Sequence, residues 1–244
     1  MADLKPGIQS EPTEPAFPNQ PRRLAAAINQ GWQSARANVI PGLAIVFLAA
    51  LLVVAYYQLP TVRISLEGLV DLRQHLGVWF SMAANALGAG LIPSLYLTSI
   101  GRSRHGPGAV VDLLFTCLVW AVTAAAVDRF YVFQAWVWGT AVTLPILLGK
   151  MLADQLVFTP LIGIQIPAIG TRLRDMKYNL SALGRAMRED WFIGVTVPML
   201  VACWLIWIPG TLVIYSLPLP LQIPMMVLIQ CFFALEVAYA SSRM

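Results

Sequence analysis

The sequence predicts an all-α fold: a polytopic transmembrane helical bundle of about six spans, with further segments lying at the membrane surface. Three observations carry this prediction. Ala, Val, Ile, Leu, Met, Phe, Trp, Tyr and Cys make up 58% of the 244 residues before glycine is counted, where a soluble domain reaches about 45–50% with it. Charged residues fall to 11%, against roughly a quarter ordinarily, and mean hydropathy is +0.70. The stretch Leu76 to Ile100 runs 25 residues without a charge, longer than the roughly 20 that cross a bilayer. Together these exclude a soluble enzyme, a disordered chain and a nucleic-acid-binding protein. The net charge of +4 therefore bears on topology, since Lys and Arg concentrate in cytoplasmic loops.

Residues 1–38 begin polar and Pro-rich and turn basic between Arg22 and Arg36, which predicts a disordered tail entering a short interfacial helix. Val39 to Tyr57 is the first span, a retained anchor because no small-x-small cleavage site follows it. Leu76 to Ile100 is the second. Ser81, Asn85, Gly88, Ile92 and Ser99 share one face of it, and Ala84-x-x-x-Gly88 and Ala86-x-x-x-Gly90 are small-residue pairs. Such a stripe admits close packing on a neighbour or the lining of a water path. A basic loop (Arg102, Arg104, His105) leads to the third span, Ala109 to Val127, closed by Asp128 and Arg129.

Phe130 to Gly149 is apolar but holds Gln134, Trp136, Trp138, Gly139 and Pro145, a mixture typical of the interface. Beyond it come spans at Met151 to Thr171, Trp191 to Tyr215 and Leu217 to Ala240. If Phe130 to Gly149 crossed, seven of the Lys and Arg residues would lie inside and nine outside. If it does not cross, twelve lie inside and four outside, as the positive-inside rule requires. Six spans with both termini inside follow. In the charged stretch Arg172 to Asp190, the residues Leu173, Met176, Leu180, Leu183 and Met187 fall at alternating three- and four-residue spacing, which predicts an amphipathic helix on the cytoplasmic face.

Chemistry-bearing constellations are sparse. His75 and His105 fall on opposite sides of the membrane, and no P-loop, G-x-S-x-G or H-E-x-x-H motif occurs, so neither an enzymatic activity nor a cofactor is expected. Cys117, Cys203 and Cys231 sit in apolar runs and read as small buried residues. Asp112, Asp128, Lys150, Asp154 and Glu236 are each placed within about a turn of a span boundary, which argues against a proton relay. Neutral amides stand nearer mid-membrane: Asn85, Gln165 and Gln230. With Ser81 they are candidates either for lining a pore or for knitting helices together.

One block rises above composition: Lys150-Met151-Leu152-Ala153-Asp154-Gln155-Leu156-Val157-Phe158-Thr159-Pro160. It resembles the family of the twenty-two-kilodalton peroxisomal membrane protein and the mitochondrial inner-membrane protein Mpv-seventeen. Phe130-Tyr131 upstream, Ile208-Pro209 and Pro220-Leu221-Gln222 downstream, and Leu87-Gly88-Ala89-Gly90 stand where that family has comparable elements. The likeness covers about residues 80–240, that of a distant member; the span at Val39 to Tyr57 is additional, ahead of a family-like bundle at 76–240. It implies a passive, weakly selective channel for small solutes, with Lys150, Met151, Asp154, Gln155, Phe158, Pro160, Pro209 and Pro220 as its motif residues. The competing expectation is a non-catalytic structural or assembly factor.

As helix-entrance chemistry, Lys150 and Asp154 are i,i+4 neighbours able to pair, and Pro160, Pro209 and the Pro218-x-Pro220 cluster bend the helices they interrupt. Expected partners are the lipid bilayer, small solutes and further copies of the chain. The compartment expected is a prokaryotic plasma membrane, or a peroxisomal or mitochondrial inner membrane in a eukaryote. The C-terminal Ser242-Arg243-Met244 resembles a peroxisomal address.

Overall fold

The computed structural model describes residues 20–101 and 108–241. The Pro-rich start of the tail, the loop carrying Arg102, Arg104 and His105, the terminal Ser242-Arg243-Met244 and the side chain of Glu236 lie outside the described residues. Among the described residues no strand occurs. The helices are α1 (Gln20–Gln58), α2 (Pro60–Leu76), α3 (Val78–Ser99), α4 (Ala109–Trp138), α5 (Leu144–Asp175), α6 (Leu180–Glu189), α7 (Phe192–Tyr215) and α8 (Leu219–Ser241). An all-helical answer suits a chain that must satisfy its backbone without water.

Four helices, α3, α4, α5 and α7, are long and apolar enough to cross a membrane. A fifth crossing arises if Gly42–Gln58 and Pro60–Leu76, bent by 104°, form one broken span. The sixth expected span is the helix α8, Leu219–Ser241, apolar over the described stretch Leu219–Phe232. Side chains facing away from the bundle are large and apolar, among them Ile40, Leu114, Leu144 and Leu161, the surface that lipid covers. Trp79 at the start of α3 and Trp136 at the end of α4 are exposed, consistent with an interfacial aromatic belt.

Several expected boundaries shift. The first helix starts at Gln20 instead of Val39, so the interfacial stretch and the anchor are one rod. Phe130 to Gly149 is neither one helix nor a peripheral segment. Its first nine residues finish α4, Gly139 turns the chain at φ 82°, and α5 starts at Leu144. Pro145 falls in the first turn of α5, where its missing N–H costs nothing. The amphipathic stretch 172–190 is broken in two by Lys177 and Tyr178, which adopt positive φ of 52° and 62°; Asn179 then caps α6 by accepting from the Ala182 N–H at 2.9 Å.

The helices pack in a cyclic order: α1 on α7, α7 on α5, α5 on α4, α4 on α3, α3 on α8 and α8 back on α1. Small residues allow the close approaches. A Cβ at Gly90 would lie 3.0 Å from the Cys117 backbone, and one at Gly31 of α1 would lie 2.5 Å from the Pro198 carbonyl oxygen of α7, the small-residue mode of membrane packing. α1 is not a detached anchor, because its Ala49 and Val53 belong to the same core as Ile214, Leu221 and Ile229.

Proline explains the local irregularity. Widened π-helical turns at Ala86–Leu91 and Phe192–Thr196 stand just ahead of Pro93 and Pro198, and the one at Asp154–Gly163 contains Pro160. A proline ring collides with the carbonyl four residues back, and a wider turn relieves the collision. Pro160 has no N–H for the Gln155 carbonyl, five residues earlier, and the Trp204 indole N–H donates to that oxygen at 3.1 Å. Pro209 lies inside α7 as expected, whereas Pro220 occupies the first turn of α8 and bends nothing.

Candidate functional site

Within the ring of helices lies a cavity of about 310 Å³, walled by α3, α4, α5, α7 and α8. Its lining is mostly apolar and aromatic, with Trp120, Tyr131, Phe158 and Trp207, and a few polar groups enter it: Asn85, Thr123, Asp154, Gln155, Thr159, Thr211 and Gln230. A small apolar cavity with few convergent polar groups is the usual form of a ligand site.

The four amide and hydroxyl candidates do not converge. Asn85 and Gln230 line the cavity. Ser81 is fully buried elsewhere and donates to Asp128 Oδ2. Gln165 lies in a closed network: its Nε2 donates to the Pro160 carbonyl at 2.7 Å and to Thr196 Oγ1 at 3.1 Å, and its Oε1 accepts from the Trp191 indole at 2.7 Å. No continuous polar path runs through the set, because two members spend their hydrogen bonds on holding helices together.

The motif block fares differently. Because α5 starts seven residues before Met151, Asp154 sits inside a long helix and is buried, so its expected place at a boundary is corrected. Its Oδ2 accepts from the Tyr215 hydroxyl at 2.5 Å, and its Oδ1 from Gln155 Nε2 at 3.2 Å and Thr159 Oγ1 at 3.0 Å. Tyr215 in turn accepts from Gln134 Nε2 at 2.6 Å. The expected Lys150–Asp154 pair does not form within 4 Å. Lys150 is buried, with Nζ 5.9 Å from the centre of the Tyr215 ring, so cation and carboxylate flank one tyrosine. Phe158 stacks on Phe130 at 4.2 Å, joining α5 to α4. Met151, Pro160, Pro209 and Pro220 are half-buried and do not enter this network.

Three buried amide oxygens stay unpartnered among the described residues, those of Asn85, Gln134 and Gln155, and only Asn85 and Gln155 line the cavity. Asn85 gives its Nδ2 to the Trp120 carbonyl at 3.0 Å, leaving Oδ1 free, and Gln155 gives its Nε2 to Asp154, leaving Oε1 free. The partners are acceptors, so the NH₂ groups must face them and these orientations are fixed by chemistry.

A second charged layer lies toward α2. Asp128, also expected at a span end, is fully buried because α4 continues to Trp138. It accepts from both Arg73 and Ser81 through Oδ2, with Arg129 Nη2 3.4 Å from Oδ1. On the opposite side of the bundle, Tyr178 donates to Asp112 at 2.6 Å and meets the Phe115 ring edge-on at 5.1 Å. Partial desolvation and the adjacent carboxylate push the Tyr178 hydroxyl up to about 12.

Tyr131, Gln134 and Tyr215 were not among the candidate site residues, and Tyr131 was legible only through the family-like Phe130-Tyr131 pair. Gln134 was legible only as an interfacial residue, and Tyr215 only as the end of an apolar run. Cys117, Cys203 and Cys231 are half-buried, not fully so, and unbridged; Cys203 touches the cavity. No cluster of three His, Cys, Asp or Glu residues able to hold a metal occurs among the described residues. Comparison with protein-family models, curated proteins and solved structures returns no match.

Proposed function

We propose that this multi-pass membrane protein is a non-catalytic permeability protein whose central cavity takes up small uncharged solutes. The observation that carries the proposal is the roughly 310 Å³ cavity at the heart of the helix ring, a mostly apolar wall into which buried amides, threonines and the hydrogen-bonded Asp154 enter. An apolar wall disfavours ions, which lose their hydration there, while a few amides suit neutral polar molecules. The resemblance of the Lys150–Pro160 block to a family of solute-permeability proteins supports the same reading.

Solute release from liposomes tests it. Wild type should accelerate release of small neutral solutes, Ala202→Phe should abolish this by filling the cavity, and Val110→Ala, on the lipid-facing surface, should behave as wild type. Release equal to that of empty liposomes, from folded and inserted protein, rejects permeation. The second reading, a scaffold, is favoured by the hydrogen bonds of Ser81 and Gln165, which join helices outside the cavity lining.

A further inference from the structure

Resting on the cavity as the functional site, we infer that it binds a neutral, largely apolar molecule that donates hydrogen bonds, of the phenol or alcohol class. Asn85 Oδ1 and Gln155 Oε1 are buried, unpartnered and belong to residues lining the same cavity. An unmet buried acceptor is costly, so a ligand that supplies donors gains what the protein leaves unmet. Both orphans are acceptors, so the complement is a donor and not another carbonyl or ether.

The aromatic rings of Trp120, Phe158 and Trp207 call for a flat apolar body. Net charge is not called for. The Asp154 carboxylate already accepts from Tyr215, Gln155 and Thr159, and Lys150 stands behind the Tyr215 ring. A cationic ligand would lose its hydration with no open anion to meet it.

Isothermal titration of the full chain in nanodiscs with three probes tests the inference: resorcinol, its donor-free analogue 1,3-dimethoxybenzene, and tyramine as an ammonium-bearing phenol. Resorcinol should bind saturably, one per chain, at least about tenfold more tightly than dimethoxybenzene, although the ether is the more hydrophobic. Ala202→Phe should abolish the binding. Gln155→Leu should reduce the preference for resorcinol over the ether while the ether's own affinity stays the same or rises. Equal or tighter binding of the ether, or tightest binding of tyramine, overturns the donor rule. Absence of saturable heat with every probe, from folded wild type, overturns the site and leaves water as its occupant. The wild-type comparison holds even where a variant fails to fold. Binding in this order without liposome release keeps the site and removes the channel, whereas release without binding does the reverse.

Discussion

At the residue scale, the decisive polar groups are those that apolar helices bury instead of leaving at their ends. Asp128 is enclosed between Arg73 and Ser81. Removing one partner of a buried ion pair strands the other, at about 3–5 kcal/mol, whereas replacing both by apolar groups is often neutral. Asp128→Ala should therefore lower the thermal midpoint in detergent markedly, and Arg73→Met with Asp128→Leu should recover most of it. A double variant no better than the single one would contradict this account. Tyr178 supplies a pH prediction. Its neutral form is favoured in the fold, so its contribution is complete below about pH 10 and fades as pH rises through about 12. Being exposed, it contributes little energy, and an ultraviolet titration is the better readout: Tyr178→Phe should remove a component near pH 12. Asn85 was legible in the sequence as an amide in a charge-free run. Asp154 and Asp128 were misplaced because a charge near an apparent run end reads as a boundary, and only tertiary burial says otherwise.

At the element scale, five of the expected spans kept at least one boundary within two residues, since apolar runs fix where a helix must lie. What failed was the meaning of proline. Pro145 reads as part of an interfacial mixture yet opens α5, and Pro160 reads as a kink yet sits in a widened π-helical stretch. That stretch leaves the Gln155 carbonyl without the N–H that Pro160 lacks, and Trp204 fills the gap from α7. Trp204→Phe should thus cost about 1–3 kcal/mol, the price of an unmet buried carbonyl. Pro160→Ala restores a backbone N–H five residues from that carbonyl. In the Trp204→Phe background it should recover part of the loss in thermal midpoint, a non-additivity that a double-mutant cycle measures. Strict additivity would mean the indole's contribution is packing alone. No sequence signal pairs Trp204 with Gln155, because the link depends on a helix-to-helix contact 49 residues apart.

At the scale of the whole molecule, the cyclic order of helices separates holding the bundle together from enclosing the cavity. α1 packs on α7 and α8 and shares the core, yet none of its residues lines the cavity. The sequence could mark α1 as an additional apolar segment but not as a structural member, because Gly31 and Ala49 look like ordinary small residues until α7 and α8 lie against them. The consequence is testable at Gly31, where a Cβ would meet the Pro198 carbonyl oxygen at 2.5 Å and Val201 Cβ at 2.8 Å. Backbone cannot rotate aside as a flexible side chain does, so Gly31→Leu must push α1 off α7 at that end, at about 1–3 kcal/mol by overpacking. The thermal midpoint should fall. Saturable binding by the cavity should persist at temperatures where the variant stays folded, since the walls on α3, α4, α5, α7 and α8 are untouched. Loss of binding together with undiminished stability would reverse that assignment and make α1 the element that sets the shape of the cavity.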